Sequence, residues 1–204
     1  MAQKESNFLN MFLTLLVITG VAALALGGVY TVTKAPIEAA KKAKQEAAIQ
    51  MVVPGFANKP GDEAIELTSD DGLPLKLFPA RDASGALIGV AMETVTMKGF
   101  SGEIKVMVGF KPDGEVINYQ VLEHKETPGL GTKMADWFKT DVKKQSILGK
   151  NPSNTNFTVS KDGTGGEVDA ITAATISSRA FLDAVTRAHK AFMDYQTKQG
   201  GQLQ

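Results

Sequence analysis

The chain has no cysteine, only two histidines and one tryptophan, and its 22 basic residues are matched by 22 acidic ones. Without cysteine there are no disulfides, iron–sulfur clusters or thiolate zinc sites. His124 and His189 lie far apart in sequence, which argues against a histidine-rich metal site. A zero formal net charge argues against nucleic acid as the main partner, because neutralising a phosphate backbone needs a basic excess. No Gly-x-Ser-x-Gly elbow and no internal repeat is present. A hydrolase triad of Thr175, His124 and Glu126 is conceivable in residue type, but no motif supports it.

What the sequence does have begins with an apolar run. From Phe8 to Thr33 no residue is charged, and Asn10 is the only strongly polar side chain. About 20 apolar residues cross a bilayer core, so the run predicts a transmembrane helix. The competing reading is a cleaved signal peptide, with Lys4 before the run and Ala23-Leu24-Ala25 as the cleavage site. Because the run continues through Val29, Tyr30 and Val32, an uncleaved anchor is the better expectation. Lys34, Lys41, Lys42 and Lys44 follow it, and counted literally they would hold the remaining chain in the cytoplasm. Pro36 is placed to open a second helix, a stalk with Ile37, Ala40, Ala47, Ala48 and Met51 on one side, ended by Pro54-Gly55.

Beyond Leu75 the period changes to that of strands. Leu75 to Arg81 and Ala86 to Thr96 flank the turn Asp82-Ala83-Ser84-Gly85. Glu103 to Phe110 and Glu115 to Glu123 flank Lys111-Pro112-Asp113-Gly114. Ile104, Val106 and Val108 alternate with Lys105, Met107 and Gly109, the pattern of a half-buried antiparallel sheet. A short helix around Lys133 to Thr140 follows, anchored by Trp137 and Phe138, and then a third hairpin pairing Phe157 to Ser160 with Glu167 to Ile171. The expected fold class is α+β: an N-terminal transmembrane helix, then a twisted antiparallel sheet with packed helices. The divisions read from this pattern are 1–34 for tail and span, 35–55 for the stalk, 56–197 for the globular domain and 198–204 for a flexible tail.

Two stretches carry chemistry. Asp169-Ala170-Ile171-Thr172-Ala173-Ala174-Thr175-Ile176-Ser177-Ser178 places four hydroxyls around two alanines, just before a helical stripe of Phe181, Ala184, Val185, Ala188, Phe192 and Tyr195. A helix N-terminus suits a phosphate, small residues permit close approach, and hydroxyls can hydrogen-bond or esterify it. The plainer reading is a Ser/Thr-rich helix cap. The second stretch is His124-Lys125-Glu126-Thr127-Pro128-Gly129-Leu130-Gly131, whose glycines permit backbone to approach a flat ring. It reads equally as an ordinary strand-to-helix connection.

Together with Gly99-Phe100-Ser101-Gly102, these stretches resemble the G subunit of the Rnf complex, a membrane-bound, ion-translocating ferredoxin:NAD oxidoreductase. More distantly they are similar to the C subunit of the sodium-translocating NADH:quinone oxidoreductase. The resemblance covers nearly the whole chain and implies an FMN-binding domain behind a membrane anchor. It implies FMN held covalently by a phosphoester to the last threonine of a Ser/Thr-Gly-Ala-Thr motif, attached by a flavin transferase with FAD as donor. Thr175 matches that threonine, Thr172 the first motif residue and Asp169 the preceding acid; Ala173 stands where glycine is usual, beside Ala174. Thr127 and Leu130 would contact the isoalloxazine ring, and Glu126 and Gly129 would shape the loop around it. The implied protein is an electron-transfer component, not an autonomous enzyme, in the inner membrane with its domain outside the cytoplasm. The other subunits of the complex would be its partners. A membrane-tethered binding module without cofactor is the reading from a different class.

Overall fold

In a computed structural model, residues 7–198 are described; Lys4 and all but the first residue of the expected tail lie outside them. The chain divides into two compact units, one ending at Lys44 and the other beginning at Gln45. A single helix, α1 (Phe8–Val52), runs through both. Pro36 lies inside it and does not open the second helix expected from the sequence. Proline removes one amide donor and strains one turn; the helix formers that follow, from Glu38 to Ala48, carry the helix past it.

In the first unit the apolar run is helical and exposed, long and apolar enough to cross a membrane. Its threonines are internally satisfied. Thr14, Thr19 and Thr33 donate to the carbonyls of Asn10, Leu15 and Val29 at 2.7, 2.8 and 2.7 Å. A lipid environment leaves polar groups no other partner.

The second unit is built on a five-stranded antiparallel meander in the order β1-β2-β3-β4-β5. The strands are β1 (Ile65–Thr68), β2 (Pro74–Arg81), β3 (Leu87–Gly99), β4 (Gly102–Phe110) and β5 (Val116–His124). The expected α+β architecture is the one found, with two hairpins where the turn residues put them. The four-residue edge strand β1 is an addition to the expected set. A short helix α2 (Met134–Trp137) follows a 3-10 turn, and α3 (Thr175–Lys198) is the last described element.

Helices cover both faces of the sheet. Leu75, Leu77, Val90, Met92, Ile104, Val106 and Val108 share a core with Phe181, Val185 and Phe192 of α3. Phe181 stacks on Phe138 at 4.6 Å between centroids and meets Tyr119 edge-on at 4.8 Å. Each such ring contributes roughly 1.5–3 kcal/mol by burial. Phe138 is fully buried, whereas Trp137 is only partly so. On the opposite face Ala48, Ile49, Val52 and Val53 pack with Phe78, Ala80, Ala91 and Met107. The sheet is therefore not half-buried, as its alternation predicts. Met107 is buried, and a Cβ on Gly109 would lie 2.1 Å from the Val52 carbonyl oxygen.

The third expected hairpin is absent. Val159 and Val168 form one isolated parallel bridge, and Ser160–Asp162 coils into a 3-10 turn. Gly163 and Gly165 have φ of 72° and 74°, and Asn156 and Thr158 hydrogen-bond to Thr164. The backbone bonds that remain, such as the Val168 amide to the Thr158 carbonyl and the Ser160 amide to the Val168 carbonyl, join the two segments in parallel. Arg179 then holds Asp162 through two bonds of 2.7 and 2.6 Å.

Candidate functional site

Three segments distant in sequence meet at one end of α3. The first is the tight turn between β3 and β4, where Gly99 pairs with Gly102 and Phe100 stands 67% exposed. The second is the loop from Glu126 to Gly131 after β5. The third is the turn from Ile171 to Ala174 that opens α3. They enclose a cavity of about 350 Å³ lined by Phe100, Glu126, Thr127, Leu130 and Gly131 on one side and by residues 173–177 on the other.

The entry to α3 is fixed from both ends. The Ala174 amide donates to the Ile171 carbonyl at 3.0 Å, closing a four-residue turn whose third residue, Ala173, has φ of 62°. Ser178 Oγ accepts the Ile171 amide at 2.9 Å and donates to the Ala174 carbonyl at 2.9 Å. The first-turn amides, from Thr175 onward, have no carbonyl four residues back within the helix, so their positive ends face outward.

The four hydroxyls of this stretch divide into two kinds. Ser177 and Ser178 are buried and engaged, Ser177 donating to Glu126 Oε2 at 2.5 Å. Thr172 and Thr175 make no side-chain hydrogen bond to any described residue. Thr175 is half-buried and lines the cavity; Thr172 is exposed and does not.

The other sequence-derived candidates fall as follows. Ala173, Ala174, Glu126, Thr127 and Leu130 line the cavity. Gly129 does not; its φ is 75° and its amide donates to Thr132 Oγ1 at 3.0 Å, so it shapes the loop. Asp169 turns away, accepting from Ser160 Oγ at 2.6 Å and from the Lys144 amide at 3.4 Å. The Ser160 hydroxyl, followed by the Lys144 amide and charge, holds its carboxyl below the usual carboxylate range despite the opposing effect of burial. His124 is exposed and off the cavity; its Nδ1 accepts the Glu126 amide at 3.2 Å, so no triad with Thr175 forms. Gly131 and Ser177, read from sequence as a loop glycine and as one of the four candidate hydroxyls, also line the cavity, as do Phe100 and Ile176, which have no individual role in that reading. Ile176 offers a signal, being a large apolar residue off the stripe of α3, and it is 48% exposed.

A half-buried free hydroxyl, a small-residue turn and a first helical turn form a donor set for a phosphate. Phe100, Leu130 and Ile176 are exposed apolar groups around the same opening, suited to a flat ring. The cavity's size is that of small-molecule sites. These residues fit a flavin mononucleotide. Residues 99–190 match the FMN-binding domain family, a stretch that contains all three segments. The fold and site thus define a protein with an FMN-binding domain.

Relatives narrow the class. The chain is 33% identical to the G subunit of the ion-translocating oxidoreductase complex of Methanosarcina acetivorans over 194 residues, covering 94% of this chain and 96% of that protein. It is 37% identical to the corresponding protein of Shewanella oneidensis over 136 residues, 65% of this chain and 60% of that relative's length. The crystal structure of Shewanella oneidensis NqrC is similar at 22% identity with a TM-score of 0.45, covering 69% of this chain and 74% of that one, a likeness too distant to inform the site. The chain belongs to the family of G subunits of ion-translocating oxidoreductase complexes.

Ala173 holds a left-handed conformation that costs an L-residue about 1–2 kcal/mol. Ala173→Gly relieves that strain, and the freer unfolded chain returns part of the gain. The expected net effect is a stabilisation of about 1 kcal/mol, read as a higher denaturant midpoint at unchanged slope.

Proposed function

We propose that this chain carries FMN as a phosphoester on Thr175 and relays electrons within a membrane-bound ion-translocating oxidoreductase that moves Na⁺ or H⁺. The observation that carries the attachment site is the division of hydroxyls: of the four around the turn, only Thr175 is both free of described partners and on the cavity. When bound, FMN supplies the reversible redox chemistry. The chain's own residues supply position and environment. The first-turn amides of α3 favour the phosphodiester's negative charge by roughly 0.3–1 kcal/mol. Leu130, Phe100 and Ile176 provide the apolar walls that keep water from a ring, and Thr127 stands beside them. Family membership supports partners among the other subunits of the complex, and a flavin transferase using FAD would load the chain. The test is peptide mass mapping after co-expression with such a transferase. Flavin on Thr175 is expected; flavin on Thr172, Ser177 or Ser178 overturns the assignment. A colourless product of unmodified mass favours the cofactor-free binding module instead.

The length and apolarity of α1 support a single-pass anchor in the cytoplasmic membrane. We place the domain on its outer side, where the resemblance puts it, against the count of lysines after the span. Protease added to intact spheroplasts should remove the domain; cleavage only after lysis refutes this orientation.

A further inference from the structure

Glu126 is 4% exposed, yet its carboxylate reaches two segments distant in sequence. Oε1 accepts the Ser101 amide at 2.9 Å, in the turn between β3 and β4. Oε2 accepts the Ser177 hydroxyl at 2.5 Å, in the first turn of α3. Two glycines make room for it. A Cβ on Gly99 would stand 2.7 Å from Oε1, and one on Gly131 would stand 2.6 Å from Oε2 and 2.7 Å from Ser177 Oγ. Neither glycine has positive φ, unlike Gly102 and Gly129. At 131 the space taken by Glu126 and Ser177 requires glycine, whereas at 99 the Gly102 carbonyl oxygen, 2.4 Å from such a Cβ, stands closer still than the carboxylate. The same side chain lines the cavity that Thr175 borders.

We propose that Glu126 is a positioning residue for flavin attachment: its carboxylate ties the β3–β4 turn and the start of α3 to the loop after β5, and so holds the cavity in the shape that presents the Thr175 hydroxyl. This rests on the covalent-flavin reading above. It also assigns Ser177 a role, since the bridge engages that hydroxyl and leaves Thr175 as the free one of the pair. A side chain that merely filled space would be replaceable by an apolar residue of similar volume. A bridge is not.

The test uses the full chain before and after loading with flavin, in three variants. Glu126→Leu fills the volume without bridging. Glu126→Gln keeps the bridge, its oxygen accepting from Ser101 and its amide donating to Ser177 Oγ. Ser177→Ala removes one arm. In unloaded protein the Ser101 amide should exchange with solvent about tenfold faster in Glu126→Leu than in wild type, as expected for loss of a hydrogen bond to a charged group. The rate of flavin attachment should fall by a similar factor of about ten. Glu126→Gln should recover most of both losses, and Ser177→Ala should slow attachment severalfold. If Glu126→Leu keeps wild-type Ser101 exchange and wild-type attachment, the proposal is wrong. Should Glu126→Leu lose its circular dichroism signature of folding, Ser177→Ala decides: attachment at the wild-type rate overturns the bridge. If wild type takes no flavin on Thr175, the covalent reading fails, while Ser101 exchange still reports on the bridge.

Discussion

Thr175→Ala, co-expressed with a flavin transferase, should give a folded protein of unmodified mass with no fluorescent band on a denaturing gel. The loss is complete because the substitution deletes the only oxygen proposed to carry the phosphoester. The fold should be untouched. Thr175 Oγ1 makes no hydrogen bond to any described residue, and the side chain is only half-buried at the first position of α3. Alanine also has the higher helix propensity, so stability should hold or rise slightly. Thr175→Ser keeps the nucleophilic oxygen and should retain part of the signal. Thr172→Ala, off the cavity, should weaken attachment without moving it. Covalent flavin surviving in Thr175→Ala would place the linkage elsewhere.

Gly109→Ala should be the most damaging conservative change in the sheet. Alanine in a strand is ordinarily no worse than glycine, but here the added carbon would lie 2.1 Å from Val52 O and 2.7 Å from Val52 C. Backbone atoms cannot swing aside as a flexible side chain would. Either β4 shifts against Ala91 and Asn118, its register partners, or the end of α1 lifts from the sheet. Lifting would expose Ile49, Val52 and Val53 and break the bond from Asn118 Nδ2 to the Met51 carbonyl. Overpacking of this kind costs about 3 kcal/mol. That cost corresponds to a fall in Tm of roughly 10 °C for a chain of this size. Gly20→Ala, whose Cβ would meet nothing within 4 Å, is the control, and its Tm should not fall. Equal melting of the two variants would show that α1 does not bear on the sheet at Gly109.

The central hairpins are legible in the sequence because their information is local. Asp82-Ala83-Ser84-Gly85 and Lys111-Pro112-Asp113-Gly114 specify turns by their own chemistry, and the ends of β2 to β5 follow within one residue, except that β3 runs three residues past Thr96 to Gly99. The stripe of α3 is equally readable. The second covered face is not, because Met107 and Gly109 show only that they are uncharged. What lies over them is decided by Val52, more than fifty residues away. Pro36 misleads because proline is a strong local signal that the surrounding helix formers outweigh. At the site, motifs supply Thr175 and the loop, but not the link between Glu126 and Ser177, which joins residues 51 apart in sequence. Asp169 enters through the resemblance, as the acid that precedes the motif, and its carboxylate faces Ser160.

The placement of α3 also sets an order of assembly. Each strand of the meander pairs with its neighbour in sequence, so the hydrogen-bonded ladder closes through short loops without α3, which supplies only the core on one face. Helix α3 comes after all five strands and docks across the central one, through Thr94 to the Ala184 carbonyl and Arg187 to the Val95 carbonyl, contacts separated by 90 and 92 residues. Closing so long an excursion carries more loop-closure entropy than any hairpin of the meander. Until it happens, Thr175 is an isolated hydroxyl on an unfinished chain, with neither Leu130 nor Glu126 beside it. Under the proposed attachment to Thr175, an enzyme that recognises the turn together with its surroundings would therefore tell a finished molecule from a nascent one.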